Sequence, residues 1–540
     1  MSKSTLVIGA SGVGTLFEWY DFYLYGSLAD FIARHFFSGV NETTGFIFAL
    51  AAFAVGFIVR PLGALIFGRI GDLSGRKNTF LVTLALMGLS TFLVGVLPGY
   101  ESIGIAAPLL LVLLRIVQGL AIGGEFGGAI IYVAEHAPAA VRGRHTSCIP
   151  LTATCGLLLS LGVIMTTRSL MTPDAFGDWG WRVPFLISVF LLGISLWIRL
   201  KLHESPVFEQ LKNEGALSKT PLRESFLHWP NLKIVLIALF GNVAGQAVLF
   251  YTSTIYAFYF LERMAKVDGF TATALFGCAL AISAPLIIAF GWLGDRIGRK
   301  PLVIGSAVLG ALFYFPLFGA LLSAANPVLA RAQETSPVVV RADPEDCSLQ
   351  FDPVGRKRFD ATGCDIVKAY LAHAGISHET RRLTTPGSAR LEIGAVALIA
   401  PDPARLRGGE LAAAIAAFQA RVQWALDAAG YHSGADASAI NRPRVVAILV
   451  ALLGISAISL GAYAAVLVEL FPARIRYSAL SLPQNFGNGW FGGLLPAVAF
   501  AIVAATGNIY AGLWYPVIIA GLCAIVAQLA LPETRGRSIR

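Results

Sequence analysis

Five ionisable side chains stand in otherwise apolar stretches of the sequence: Glu18, Asp21, Arg60, Arg115 and Glu125. A charge surrounded by hydrocarbon is costly, so each of the five needs a partner or a task. Gly14, Glu18, Asp21 and Tyr25 follow one another at helical steps of four, three and four, and Arg115, Gln118, Ile122 and Glu125 form a second stripe. If both stripes face one cavity, a guanidinium and a carboxylate meet there. An anionic solute then competes with Asp21 for Arg115, and a carboxylate deprived of its cation favours taking up a proton. Arg115 is the expected anion contact, because its planar fork suits a carboxylate. Asp21 is the expected proton carrier, with Glu18 and Glu125 as rivals and a purely structural ion-pair network as the bland alternative. Uncharged polar groups farther along, Asn242, Gln246 and Tyr251, then Gln484, Asn485 and Asn488, are expected to complete the site with Tyr25 and Gln118.

Those residues have to be held by membrane-spanning helices. The chain has 540 residues, 56% of them hydrophobic and only 14% charged, with a mean hydropathy of +0.70. A soluble chain of this length needs far more charge on its surface. Windows free of Asp, Glu, Lys and Arg, together with spans carrying isolated charges near 7–33, 44–70, 103–134 and 183–200, give twelve transmembrane helices. Glu18 and Asp21 interrupt the first apolar stretch, which does not read as a cleaved signal peptide. Twenty Lys and Arg fall in the loops on one side of these spans and five in the short loops of the other. The richer side is therefore cytoplasmic and holds both termini. The net charge of +9 is a topology signal spread over many loops, which argues against a nucleic-acid partner.

An internal repeat gives the strongest pattern. Gly68-Arg-Ile-Gly-Asp72-Leu-Ser-Gly75-Arg76-Lys77 returns as Gly291-Trp-Leu-Gly-Asp295-Arg-Ile-Gly298-Arg299-Lys300. Farther on, Glu135 to Arg142 is echoed by Glu469 to Arg476, and Glu204-Ser-Pro by Glu533-Thr-Arg. The glycines permit close helix approach, and the Asp sits at a helix end where it can accept hydrogen bonds. These loops are expected to form an ion-pair network, with Glu135 and Glu469, that holds the two halves together in one state and breaks in the other. The alternative is a mere topology anchor.

The repeat offset lengthens between Lys300 and Glu469, and composition changes in the same place. The expected organisation is an N-terminal six-helix bundle (1–201), a cytoplasmic linker (202–231), a C-terminal six-helix bundle (232–325 and 443–540), and an inserted extracytoplasmic domain (326–442). Within the insertion, Glu410 to Asp427 reads as an amphipathic helix and Leu391 to Ala400 as a strand. Cys347 and Cys364 are the two cysteines of that segment, and an oxidising compartment would permit a disulfide. The other four fall in spans and read as packing residues. No cysteine or histidine spacing suggests a metal site, no cofactor is implied, and no nucleophile or paired acids at usable spacing suggest an enzyme.

The doubled G-x-x-x-D-x-x-G-R-K loop resembles the signature of the major facilitator superfamily, and Arg115-Ile-Val-Gln118-Gly119 resembles its second motif. More narrowly, Phe17-Glu18-Trp-Tyr-Asp21, Gly56-Phe-Ile-Val-Arg60-Pro61, Gly123-Gly124-Glu125 and Glu469-Leu-Phe-Pro-Ala-Arg resemble the metabolite:proton symporters. That group includes carriers of α-ketoglutarate, shikimate, citrate, and proline or betaine. Most relatives lack a large domain between spans nine and ten; haloacid permease-like carriers of short monocarboxylates are associated with one. The resemblance implies a monomeric, multi-pass protein of the bacterial inner membrane. It would be a proton-coupled symporter for a small organic anion, a mono- or dicarboxylate, working by alternating access, with solute, proton and membrane lipid as its partners. A carrier of a zwitterionic osmolyte, or a carrier-like sensor using the inserted domain, are the alternatives.

Overall fold

The computed structural model describes residues 3–38, 49, 52, 54–201, 204–348, 359–383 and 388–539. Ten helices among them are long and apolar enough to cross a membrane. Two more pack in the same bundle. The first, Lys3–Ser27, is diluted by Glu18, Asp21 and several tyrosines, and the second is helical over 54–58 and, after a turn at Val59, over Arg60–Ser74. The second helix restarts at Arg60 because Pro61 lacks the N–H needed to continue the preceding turn. Helices three to six are Arg76–Val96, Ala106–His136, Cys148–Ser169 and Val183–Leu200. Helices seven to nine are Trp229–Met264, Gly269–Ile297 and Lys300–Ala325. Ten to twelve are Arg442–Leu470, Arg476–Thr506 and Ala511–Ala530. The stretch expected to be a plain linker carries two short helices, Pro206–Asn213 and Pro221–Leu227, the first capped by Ser205.

The two halves meet along a pseudo-symmetric pair of contacts. The second helix packs on the eleventh, and the fifth on the eighth. Small residues make this possible: a Cβ on Gly71 would lie 2.6 Å from the Tyr477 ring, and one on Gly291 would lie 2.8 Å from the Gly143 carbonyl. Helix seven contains three π-helical turns, and helix eleven one at Gly487–Gly492, just after Pro483. Such turns appear where the regular backbone ladder is disturbed, and they rotate the polar residues beside them.

Between helices nine and ten lies a small α/β unit. Its strands are β1 (Val338–Ala342), β2 (Glu379–Arg382), β3 (Arg390–Ile393) and β4 (Val396–Ile399), in the sheet order β2-β1-β3-β4. β1 and β2 run parallel, so their connection includes a crossover helix, Gly363–Ala374. The single strand expected over Leu391 to Ala400 is instead a hairpin. Gly394, at φ +55°, turns the chain between β3 and β4, which explains its imperfect alternation. The amphipathic helix is present as Gly408–Ala428 and buries Phe418, Val422, Ala425 and Leu426. Cys347 and Cys364 are joined as a disulfide. The unit is tied to the C-terminal half: His378 donates its backbone N–H to Gly507, Ala435 to Lys266, and Asn441 to Ala324.

Candidate functional site

A small cavity of about 20 Å³ lies where the halves meet. Trp19, Arg60, Ile122, Phe126, Pro150 and Ala153 wall it from one half, and Gln246, Phe250, Leu460, Tyr463, Gln484, Asn485 and Asn488 from the other. Four of the expected site residues are therefore here: Gln246, Gln484, Asn485 and Asn488. Asn485 also donates to the Gly123 carbonyl at 2.7 Å, crossing between halves, and Asn488 donates to Gln484. Tyr251 does not line the cavity, but its hydroxyl lies against Arg60. Asn242 is spent on the Tyr463 carbonyl, at 3.2 Å.

The cation in the cavity wall is Arg60, 2% exposed. Its guanidinium sits 4.5 Å and 4.6 Å from the ring centres of Phe22 and Phe57. Its Nε and Nη2 are buried without a hydrogen-bond partner. Buried donors in that state are unusual and favour a visiting acceptor.

Arg115 does not line this cavity. It donates to Gln118 Oε1 at 2.5 Å and lies 3.5 Å from the Tyr25 ring centre. Gln118 passes the chain on to Thr91 at 2.6 Å, and Asp21 sits beside Thr91, Ser188 and Arg115. The Tyr25 hydroxyl donates to the Ala49 carbonyl. Arg115, Gln118, Tyr25 and Asp21 thus form a cluster outside the cavity wall, in which Arg115 Nε and Nη2 are themselves buried without a hydrogen-bond partner. Glu125 does not reach Arg115 either. It pairs at 2.6 Å with Arg199, which is only 3% exposed. Arg199 occupies the last turn of helix six, within a charge-bearing span, and that position was the available signal.

The repeated loops converge at one end of the bundle. Asp72 accepts the backbone N–H groups of Tyr477 and Ser478, at 3.3 and 2.9 Å, and so caps helix eleven of the other half. Asp295 returns the arrangement, accepting from Gly143 and Arg144 at 2.8 Å each. Arg476 pairs with Glu135 at 2.8 Å, while Glu469 holds Arg142 at 2.8 Å and Arg299 at 3.0 Å. Arg299 also reaches Asp295 at 3.1 Å. Glu204 accepts from the Lys77 backbone N–H, as Glu533 does from Arg299 and Lys300. Burial acts against ionisation of Glu533, yet those N–H groups hold its carboxyl below the usual range. Gly75 and Gly298, at φ +106° and +99°, turn the chain beside these two acids. Gly68 lets Ser478 approach: a Cβ there would lie 3.1 Å from its Cα. The Arg76 side chain lies outside the described residues.

Residues 6–225 match the family described as "Sugar (and other) transporter". The shikimate transporter of Escherichia coli (strain K12) is 37% identical over 327 residues, covering 59% of this chain and 73% of that protein. The alpha-ketoglutarate permease of the same organism is 35% identical over 326 residues, covering 60% and 73%. Among solved structures, a double-tryptophan mutant of XylE superposes with a TM-score of 0.64 at 16% identity, over 100% of this chain and 98% of that one. XylE bound to 6-bromo-6-deoxy-D-glucose gives a TM-score of 0.61 at 16% identity, over 99% and 97%. The fold and these relatives define a multi-pass membrane transporter rather than an enzyme. The chain belongs to the major facilitator superfamily, among its metabolite transporters.

Proposed function

We propose that the protein is a proton-coupled symporter that carries a small organic anion, a mono- or dicarboxylate, by alternating access. The observation that carries this reading is Arg60: a fixed guanidinium with two unpartnered donors in a cavity otherwise walled by amides, aromatic rings and aliphatic side chains. A planar fork of that kind matches a carboxylate and gives a neutral sugar little to exploit. The printed names of the shikimate transporter and the alpha-ketoglutarate permease support an organic acid. The description of XylE as a proton:xylose symporter supports coupling to protons. Arg60 takes the anion-binding role expected of Arg115, with Gln246, Gln484, Asn485 and Asn488 orienting the rest of the solute. The Asp72, Asp295, Glu135 and Glu469 contacts act as the gate. By the bias in loop charge, the closed end they form faces the cytoplasm of a bacterial inner membrane, with both termini on that side.

Purified protein in proteoliposomes should accumulate at least one labelled solute from a panel of shikimate, 2-oxoglutarate and lactate when the outside is acidified, and should ignore xylose. Accumulation of proline or betaine alone would make the solute a zwitterion. Binding without accumulation would make the protein a sensor.

A further inference from the structure

The interior of the N-terminal half holds three carboxylates, Glu18, Asp21 and Glu125, and three guanidinium groups, Arg60, Arg115 and Arg199, all at most 5% exposed. Asp21 and Arg115 sit in the hydrogen-bonded cluster described above. The other four form a group of their own. Arg199 Nη1 contacts Glu125 Oε1 at 2.6 Å. Both oxygens of Glu18 are buried without a hydrogen-bond partner, and its charged neighbours are Glu125, Arg199, Arg60 and Asp21. Gly14, one turn before Glu18, marks the path of Arg199: a Cβ there would lie 2.3 Å from Nη2 and 2.5 Å from Nε. Phe80 stacks on the same guanidinium at 4.7 Å. Arg199 therefore crosses from helix six, past helix one, to helix four, and is held between them.

The balance of charge follows. With the cavity empty, Glu18 and Glu125 face Arg60 and Arg199, two negative groups against two positive, and no proton is required. An anion on Arg60 takes up one of the two positive charges. The remaining two carboxylates then share a single guanidinium in a medium that tolerates no unbalanced charge. We propose that the proton carried with the substrate is held by the Glu18–Glu125 pair, positioned by Arg199, at one proton per negative charge of the substrate. The proton passes from a hydronium ion of the aqueous phase to a carboxylate oxygen of the pair: one O–H bond of the hydronium breaks, leaving water, and one O–H bond forms on the carboxyl. The groups that face the pair are Asp21 on helix one, itself beside Arg115, Arg60 on helix two, Arg199 on helix six, and Tyr23 and Tyr251, which lie against Arg60. This inference rests on the symporter reading, but it can be tested without a substrate.

Arg60→Gln removes the same positive charge that a bound anion neutralises. At neutral pH the infrared spectrum of Arg60→Gln should show a buried protonated carboxyl that the wild type lacks. A further Glu18→Gln or Glu125→Gln should remove that band, and a further Asp21→Asn should leave it. Arg199→Lys added to Arg60→Gln should shift the pH at which the band titrates. No band in Arg60→Gln, or its loss with Asp21→Asn, overturns the proposal, and an unchanged titration removes Arg199 from it. In weakly buffered detergent solution with shikimate as the probe, the wild type should take up about one proton per molecule bound, and Glu125→Gln essentially none. If the wild type binds neither shikimate, 2-oxoglutarate nor lactate, the symporter reading fails, while the infrared result still decides the pair.

Discussion

Arg60 and Arg115 are both guanidinium groups sealed from water, each with Nε and Nη2 lacking a hydrogen-bond partner, and their place relative to the cavity separates them. Arg115 spends Nη1 on Gln118 and stacks on Tyr25, so its surroundings are made by the protein. Arg60 lies on the cavity wall with Nε and Nη2 unmatched. Sequence alone identified both as charges needing a partner, since an arginine amid apolar residues is conspicuous. It assigned the substrate to Arg115 because the helical stripe looked continuous, and a stripe does not reveal which neighbour fills it. Arg60→Lys should therefore weaken binding of a carboxylate probe roughly tenfold or more, about 1.4 kcal/mol, because a point charge cannot reproduce the fork. Arg115→Lys should change binding by less and lower thermal stability instead. Calorimetric titration beside a melting curve for each variant checks both, and the reverse ranking would return the anion to Arg115.

Helix ends do the work at the closed face. Asp72 caps a helix in the opposite half, and Asp295 does the same in return, so each acid ties a local helix end to the relation between the two bundles. The doubled Gly/Asp/Gly spacing marked these loops in the sequence as a candidate contact between the halves, with a topology anchor as the alternative. What spacing could not show is that the acids bind backbone N–H groups in the opposite half, with Asp295 pairing with Arg299 as well. Those N–H groups are distant along the chain. Losing such a cap typically costs about 1 kcal/mol, so Asp72→Ala should raise the population open at this end roughly fivefold. Asp295→Ala should act similarly. Spin labels at Leu73 and Ile297, in a background whose four unpaired cysteines are serine, should report a longer distance in each variant; both sites are exposed. An unchanged distance together with a loss of affinity would place Asp72 in binding rather than gating.

At the scale of the molecule, the inserted α/β unit sits on the C-terminal bundle, and its described backbone links to the bundle run to the loops and helix ends of that half. It must therefore travel with that half when the bundles rock. Composition and the jump in repeat offset located the unit from sequence, and the hairpin was missed because a two-residue turn centred on one glycine is too short to interrupt a hydrophobic run visibly. A reporter active only outside the cytoplasm should work when inserted near Gly434 and fail near Gly215, the opposite pattern overturning the orientation. The unit's anchoring should also respond to pH through His378. This residue is 6% exposed, and a Cβ on Gly507 of the loop between helices eleven and twelve would lie 2.5 Å from its ring. Burial keeps the imidazole below its ordinary value, opposed by the Ile376 carbonyl and helped to a smaller extent by the positive charge of Lys368. A base held neutral in the folded unit costs nothing above its unfolded value, near 6.5. As the pH falls through that value, the unfolded or detached form gains a proton that the docked form cannot, and docking weakens. Protease protection of the unit should therefore decline between about pH 6.5 and 5, and His378→Asn should flatten that decline; an equally steep decline in the variant would assign it to another group.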